Sequence, residues 1–202
     1  MTQLTVWPED RPEEAVLRTG EFDAIRRTLA GVGVRLERWG LAPGIPPGGT
    51  QEEILGAYRQ EIERIVEEEG YVQVDVAQLH PGEEPGWKDA AAQARQRFLS
   101  EHTHQDDEVR LFVDGAGVFY LRLAGRVHAV LCTAGDLMSV PKGTRHWFDM
   151  GTTPDFTALR FFHDEDGWVG DFTGDEIALR FPDFDALSAL AASEQGAGGR
   201  SQ

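Results

Sequence analysis

The chain has 202 residues, 41% of them hydrophobic and 27% charged, enough for one sizeable core and ordinary for a globular protein. Its formal net charge of -16 sets the surface against nucleic-acid phosphates and anionic lipid, and no apolar run is long enough to cross a bilayer. A single cysteine, Cys132, rules out an internal disulfide, and MTQLTVWPEDRPEEAVL lacks a basic-then-apolar leader, so a cytoplasmic protein is expected.

Leu4 to Trp7 reads as a short strand running into an acidic loop. Phe22, Ile25 and Leu29 share one helical face, which Gly31 and Gly33 bring to an end. VRLERW alternates like a strand, and LAPGIPPGG breaks the chain. Thr50 and Glu53 make a capping box for a helix whose apolar stripe runs through Ile54, Leu55, Tyr58, Ile62, Ile65 and Val66 to Gly70. YVQVDVAQL alternates as a strand, and GWKDAAAQARQRFLS is helical in composition. From residue 102 to about 162, short β-rich runs are separated by the turn signals DGAG, LAGR, TAGD and PKGTR, the rhythm of an antiparallel sandwich or barrel. DFDALSALAA suits a short helix, and SEQGAGGRSQ has little to bury. The expected organisation is a single, mainly β domain over residues 1–190 with flanking helices and an N-terminal helical elaboration. A disordered tail is expected over residues 191–202.

The chemistry concentrates in EHTHQDDEVRLFVDG, residues 101 to 115. Residues two apart on a strand point the same way, so His102 and His104 project together, and Glu108 and Arg110 share their parity on a regular strand. Imidazole nitrogen and carboxylate oxygen suit a divalent transition metal, although the stretch read alone also fits a solvated acidic turn. In GDLMSVPKGTRHWF, Pro141 and Gly143 make a turn that feeds His146 onto the next strand, where it can complete a set of three His and one Glu. Four such ligands leave two octahedral positions open for a bidentate substrate or an oxygen-derived ligand. Of the other histidines, His128 reads as a half-buried strand residue and His80 and His163 as solvated loop residues. Cys132 has no basic neighbour in sequence to activate it.

The spacing His102, His104, Glu108, Gly115 resembles the first cupin motif, and Gly135, Pro141, Gly143, His146 the second; Gln96 and Met150 depart from the general patterns. RFLSEHTHQDDEVRLFVDGAGVFYLR, DLMSVPKGTRHWFDMG and GWVGDFTGDEIALRFP together resemble the acireductone dioxygenase family of methionine salvage, with the likeness reaching from EEGYVQVDV to ALRFP. That resemblance implies a cupin-type antiparallel β-sandwich or barrel, a jelly roll. It also implies one Fe(II) or Ni(II) per monomer, held by His102, His104, Glu108 and His146. The implied substrate is the enediol 1,2-dihydroxy-5-(methylthio)pent-1-en-3-one, which reacts as a dianion with O2. The iron form makes formate and 4-methylthio-2-oxobutanoate; the nickel form makes formate, carbon monoxide and 3-methylthiopropanoate.

On this reading Arg110 favours the dianion, with a surface salt bridge as its plainer role, and Arg160 is a second cation or an orienting residue. Phe98, Phe148 and Trp168 either wall the pocket or belong to the core. Glu101 is expected to act in metal incorporation and Asp107 in relaying local changes, both able to hold ligand imidazole N–H groups. The expected partners are the enediol and O2, for a monomer with neither nucleic acid nor membrane. Two other readings fit the ligand pattern alone: a cupin dioxygenase or isomerase with a different pocket, and a non-catalytic metal-bearing cupin serving as sensor or store.

Overall fold

The computed structural model describes residues 1–43, 48–164 and 169–198. Among these, eleven strands form two antiparallel layers. One layer runs β11 (Asp171–Phe172), β5 (His102–Thr103), β9 (Arg145–Asp149), β6 (Glu108–Leu123), β7 (Arg126–Thr133), β1 (Gln3–Pro8), β2 (Leu17–Thr19). The other runs β3 (Arg35–Arg38), β8 (Asp136–Val140), β6 again, β10 (Phe156–Phe162), β4 (Gln73–Leu79). The mainly antiparallel β architecture with flanking helices is the one expected. β2 and β11 are additions, β2 paired out of the acidic loop expected after Trp7 and β11 out of a stretch for which no element was expected.

The 16-residue β6 serves both layers. Its first half pairs with β8 and β10, and its second half, from Ala116, with β7 and β9. At the crossing Gly115 has φ +67°, and a Cβ there would collide with the backbone of Asp155. The β6–β10 register also slips by one residue between Thr157 and Ala158, leaving Val113 unpaired in that ladder. The slip reverses which parity faces inward. Before it Phe112 lies in the inner cluster and Val109 and Leu111 lie outside; after it Phe119 and Leu121 lie inside and Val118 and Tyr120 outside.

Helices cover both outer faces. α2 (Gln51–Ala57) and α3 (Arg59–Glu69) bring Ile54, Tyr58 and Ile65 onto Val109, Leu111 and Leu159. The short 3-10 turn Ile177–Arg180 and α5 (Phe184–Gly198) bring Ile177, Phe181 and Leu187 onto Trp7, Tyr120 and Trp147. Ile25 and Leu29 of α1 (Phe22–Ala30) join the inner cluster, and α4 (Trp87–Phe98) leads the chain to His102.

Two helical expectations change. The capping box of Thr50 and Glu53 is present, but the helix it starts breaks at Tyr58. There the backbone leaves helical geometry (φ -104°, ψ 16°) while the ring is buried and its hydroxyl accepts from Ala42 N–H. A neighbouring Gly56 weakens the helix locally. The tail expected from residue 191 is instead helical to Gly198, because Leu187 and Ala191 are buried against the sheet. Residues 199–202 of that expected tail lie outside the described residues.

Candidate metal centre

His102, His104, Glu108 and His146 are all buried, and one ligand atom from each lies within 4.8 Å of every other. They converge by a route other than the regular strand expected. β5 ends at Thr103 and β6 begins at Glu108, so the chain turns between the histidines and the carboxylate. Gly143 N–H donates to His104 O (2.9 Å) and Lys142 N–H to Asp107 Oδ1 (2.8 Å), so the Pro141–Gly143 turn braces this loop. His146 enters through sheet register: it faces His102 across β5–β9 and Leu121 across β9–β6.

Each ligand imidazole has its Nδ1 against a backbone carbonyl: His102 with Ser100 O (2.7 Å), His104 with Val169 O (3.0 Å), His146 with Thr144 O (2.8 Å). A carbonyl only accepts, so Nδ1 carries the hydrogen and each neutral ring presents a bare Nε2. Two of these nitrogens face one oxygen: Glu108 Oε2 lies 3.1 Å from His104 Nε2 and 2.8 Å from His146 Nε2. Lone pairs aimed at a carboxylate repel unless a cation sits among them, so the donor set fits a divalent ion. Without the ion, the Glu108 charge favours a proton on His104. Burial lowers the pKa of His104, but its hydrogen bond and charge attraction to Glu108 outweigh this and raise it. His102 is pushed down to about 4 by burial and then by His146. Burial would raise Glu108, yet the Arg110 charge and the two histidine bonds hold it well below the usual carboxylate range.

Arg110 reaches Glu108 Oε1 with its Nε at 2.8 Å and is 3% exposed. Its guanidinium lies over Phe148 (4.6 Å to the ring centre), Phe119 (5.4 Å) and Phe98 (5.7 Å). This is a buried cation in an aromatic box rather than a surface salt bridge. Burial lowers its pKa, against the attraction of Glu108. Arg160 stands directly opposite Arg110 across β6–β10, but its guanidinium is bound to Asp75 by two bonds of 2.8 and 2.6 Å. Phe98 is half-buried and Phe148 fully buried, with ring centres 6.5 Å apart. Trp168 lies outside the described residues.

Glu101 and Asp107 do not accept from the ligand imidazoles; the three carbonyls do. Glu101 is buried and bonds Arg122 and Thr173, while Asp107 holds the Lys142 amide. Nothing local in the sequence marks Phe119 and Arg122, since their roles depend on pairing between distant strands. His128 is a strand residue as expected, but fully buried on β7, and His80 is partly buried between Asp155 and Thr157 rather than solvated. His163 is exposed in a loop as expected, with its ring bonded to Asp106. Cys132 is buried against Met138, and burial raises its pKa, so no thiolate chemistry is expected of it.

Residues 55–170 match the model of the ARD/ARD' family. The chain is 56% identical over 193 residues to the acireductone dioxygenase of Frankia alni, covering 96% of this chain and 94% of that protein. It is 52% identical to the acireductone dioxygenase of Saccharopolyspora erythraea, covering 94% of this chain and 99% of that one. Among solved structures it is similar to the acireductone dioxygenase from Bacillus anthracis with a cadmium ion in its active centre. That likeness has a TM-score of 0.72 and 29% identity, covering 85% of this chain and 98% of the other.

Proposed function

The chain belongs to the ARD/ARD' family, and on that premise we propose how its buried centre performs the acireductone dioxygenase reaction of methionine salvage. The observation that carries the reading is the set of three imidazoles, each fixed at Nδ1 by a carbonyl, gathered with Glu108 beside the boxed cation Arg110.

His102, His104, Glu108 and His146 hold one divalent ion, which we assign as Fe(II) or Ni(II). When bound, the ion would supply Lewis acidity to the enediol, whose own electrons reduce O2. Arg110 places a permanent positive charge in a dry site, which lowers the cost of removing the enediol protons and holds the resulting negative charge. Phe98 and Phe148, with Phe119 behind them, exclude water and offer an apolar face to the thioether tail. Arg160 orients rather than binds: paired with Asp75, it stands beside Arg110 and adds a neutralised charge pair to that row.

The substrate is 1,2-dihydroxy-5-(methylthio)pent-1-en-3-one. With iron bound the products would be formate and 4-methylthio-2-oxobutanoate, and with nickel formate, carbon monoxide and 3-methylthiopropanoate. All four ligands come from one chain, which supports a working monomer with one ion. A buried free thiol supports a cytoplasmic setting. Among the described residues no helix is long and apolar enough to cross a membrane.

His104→Ala should abolish both metal binding and loss of the enediol under O2. An active variant without metal would overturn the ligand assignment. Metal analysis of the purified protein together with a carbon monoxide assay decides between the two product sets.

A further inference from the structure

We propose that Arg122 is a positioning residue for the metal centre, holding His102 and His104 in place through Glu101 and the segment from Val169 to Asp175. The inference rests on the metal reading above and concerns a side chain outside the ligand set.

Arg122 lies on β6 one residue beyond Leu121, the cross-strand partner of His146. Its guanidinium gathers three carboxylates: Nε donates to Glu9 (3.0 Å), while Nη1 donates to Asp175 (2.8 Å) and reaches Glu101 (3.3 Å). Glu101 immediately precedes His102, and its side chain is 0% exposed, so an ionised carboxylate there depends on protein donors. Those donors are Arg122 and the Thr173 hydroxyl, the latter at 2.7 Å.

Thr173 belongs to a short stretch that touches both neighbouring histidines. Val169 O accepts from His104 Nδ1, the Phe172 ring packs 5.6 Å from the His102 ring, and Thr173 N–H donates to Glu101 O at 3.0 Å. Apolar burial does not hold this stretch, because Val169 is 72% and Phe172 57% exposed. Its strand, β11, has two residues and, among the described residues, pairs only with the two-residue β5. A ladder that short is weak by itself. The charged clamp of Arg122 with Glu101 and Asp175 therefore does the holding, and through the Val169 carbonyl it sets the tautomer and aim of His104.

The test is Co(II) titration of the full-length, metal-stripped chain, read by competition affinity and by the d–d absorption bands. Arg122→Ala should weaken Co(II) binding by about 10- to 100-fold and shift the bands. Arg122→Lys, which keeps a cation at the position, should restore part of the affinity together with the wild-type spectrum. Asp175→Asn, at a side chain 46% exposed, should give a smaller loss in the same direction, and it decides the matter if Arg122→Ala does not fold. In a Glu101→Gln background the loss from Arg122→Ala should shrink, because the two act along one path. Wild-type affinity and spectrum in folded Arg122→Ala, or losses that multiply in the double variant, would overturn the proposal and leave the metal centre standing. A wild-type chain that binds Co(II) no better than His104→Ala would overturn the metal centre and this inference with it.

Discussion

Arg110 is a charged side chain with little freedom. It is fixed by Glu108 on one side and three phenylalanine faces on the other. A guanidinium fits that slot because it is flat, weakly hydrated and charged at every working pH. An ammonium would keep the charge while losing the stacking and the direction of its N–H groups. Arg110→Lys should retain about one ion per chain yet lose roughly 100-fold in kcat, as expected when a preorganised charge is misplaced; metal analysis and steady-state kinetics on the same sample check both halves. The ligands were legible from sequence, because a His-x-His pair and a turn-delivered His146 are local patterns with a chemical meaning. Phe119 and Arg122 carried no such pattern. Each looks like an ordinary strand residue until register sets Phe119 opposite Phe148 and Arg122 beside Glu101.

Among the elements, β6 and the β9–α5 junction carry the most. Gly115 stands where β6 passes between the layers, at a positive φ with the Asp155 backbone against its α-carbon. Gly115→Ala should destabilise by roughly 3 kcal/mol, combining left-handed strain with a clash that backbone cannot easily relieve; the midpoint of urea unfolding measures it. At the end of β9, Asp149 accepts from Arg95 (2.6 and 2.9 Å) and from the amides of Gly151 and Phe184, joining α4, β9 and α5. Burial raises its pKa, but these bonds outweigh burial and hold it below the ordinary value. A depressed folded-state pKa contributes stability above the unfolded carboxyl value near about 4, and that stability is lost as pH falls through the folded value. Asp149→Asn should therefore cost about 2 kcal/mol at neutral pH, with the gap to wild type closing in acid; urea unfolding across a pH series follows it. The helix of Thr50 shows the limit of periodicity. Its apolar stripe was correctly placed, but the break at Tyr58 comes from a ring and hydroxyl that are satisfied by tertiary partners.

For the molecule as a whole, the centre joins stretches that two layers hold together. A β-rich domain was legible from the turn spacing, while the sharing of β6 was not, since a bulge at Val113 is invisible without its partner strand. The ion binds the folded chain alone, so free metal at about a thousand times its dissociation constant should add roughly 4 kcal/mol to stability. Scanning calorimetry should show the melting temperature fall with a chelator and return when the ion is added back.

The dual membership of β6 also orders events during folding. Glu108 sits at the end of β6 that belongs to one layer, and His146 is registered against the half that belongs to the other. A chain still emerging offers at most the His102 and His104 pair, and one closed only in the layer of β5 and β9 adds His146 without Glu108 seated against β8, in each case an incomplete chelate. Capture of the ion thus follows closure of both layers, and a loaded centre certifies that the long-range pairings have already been made.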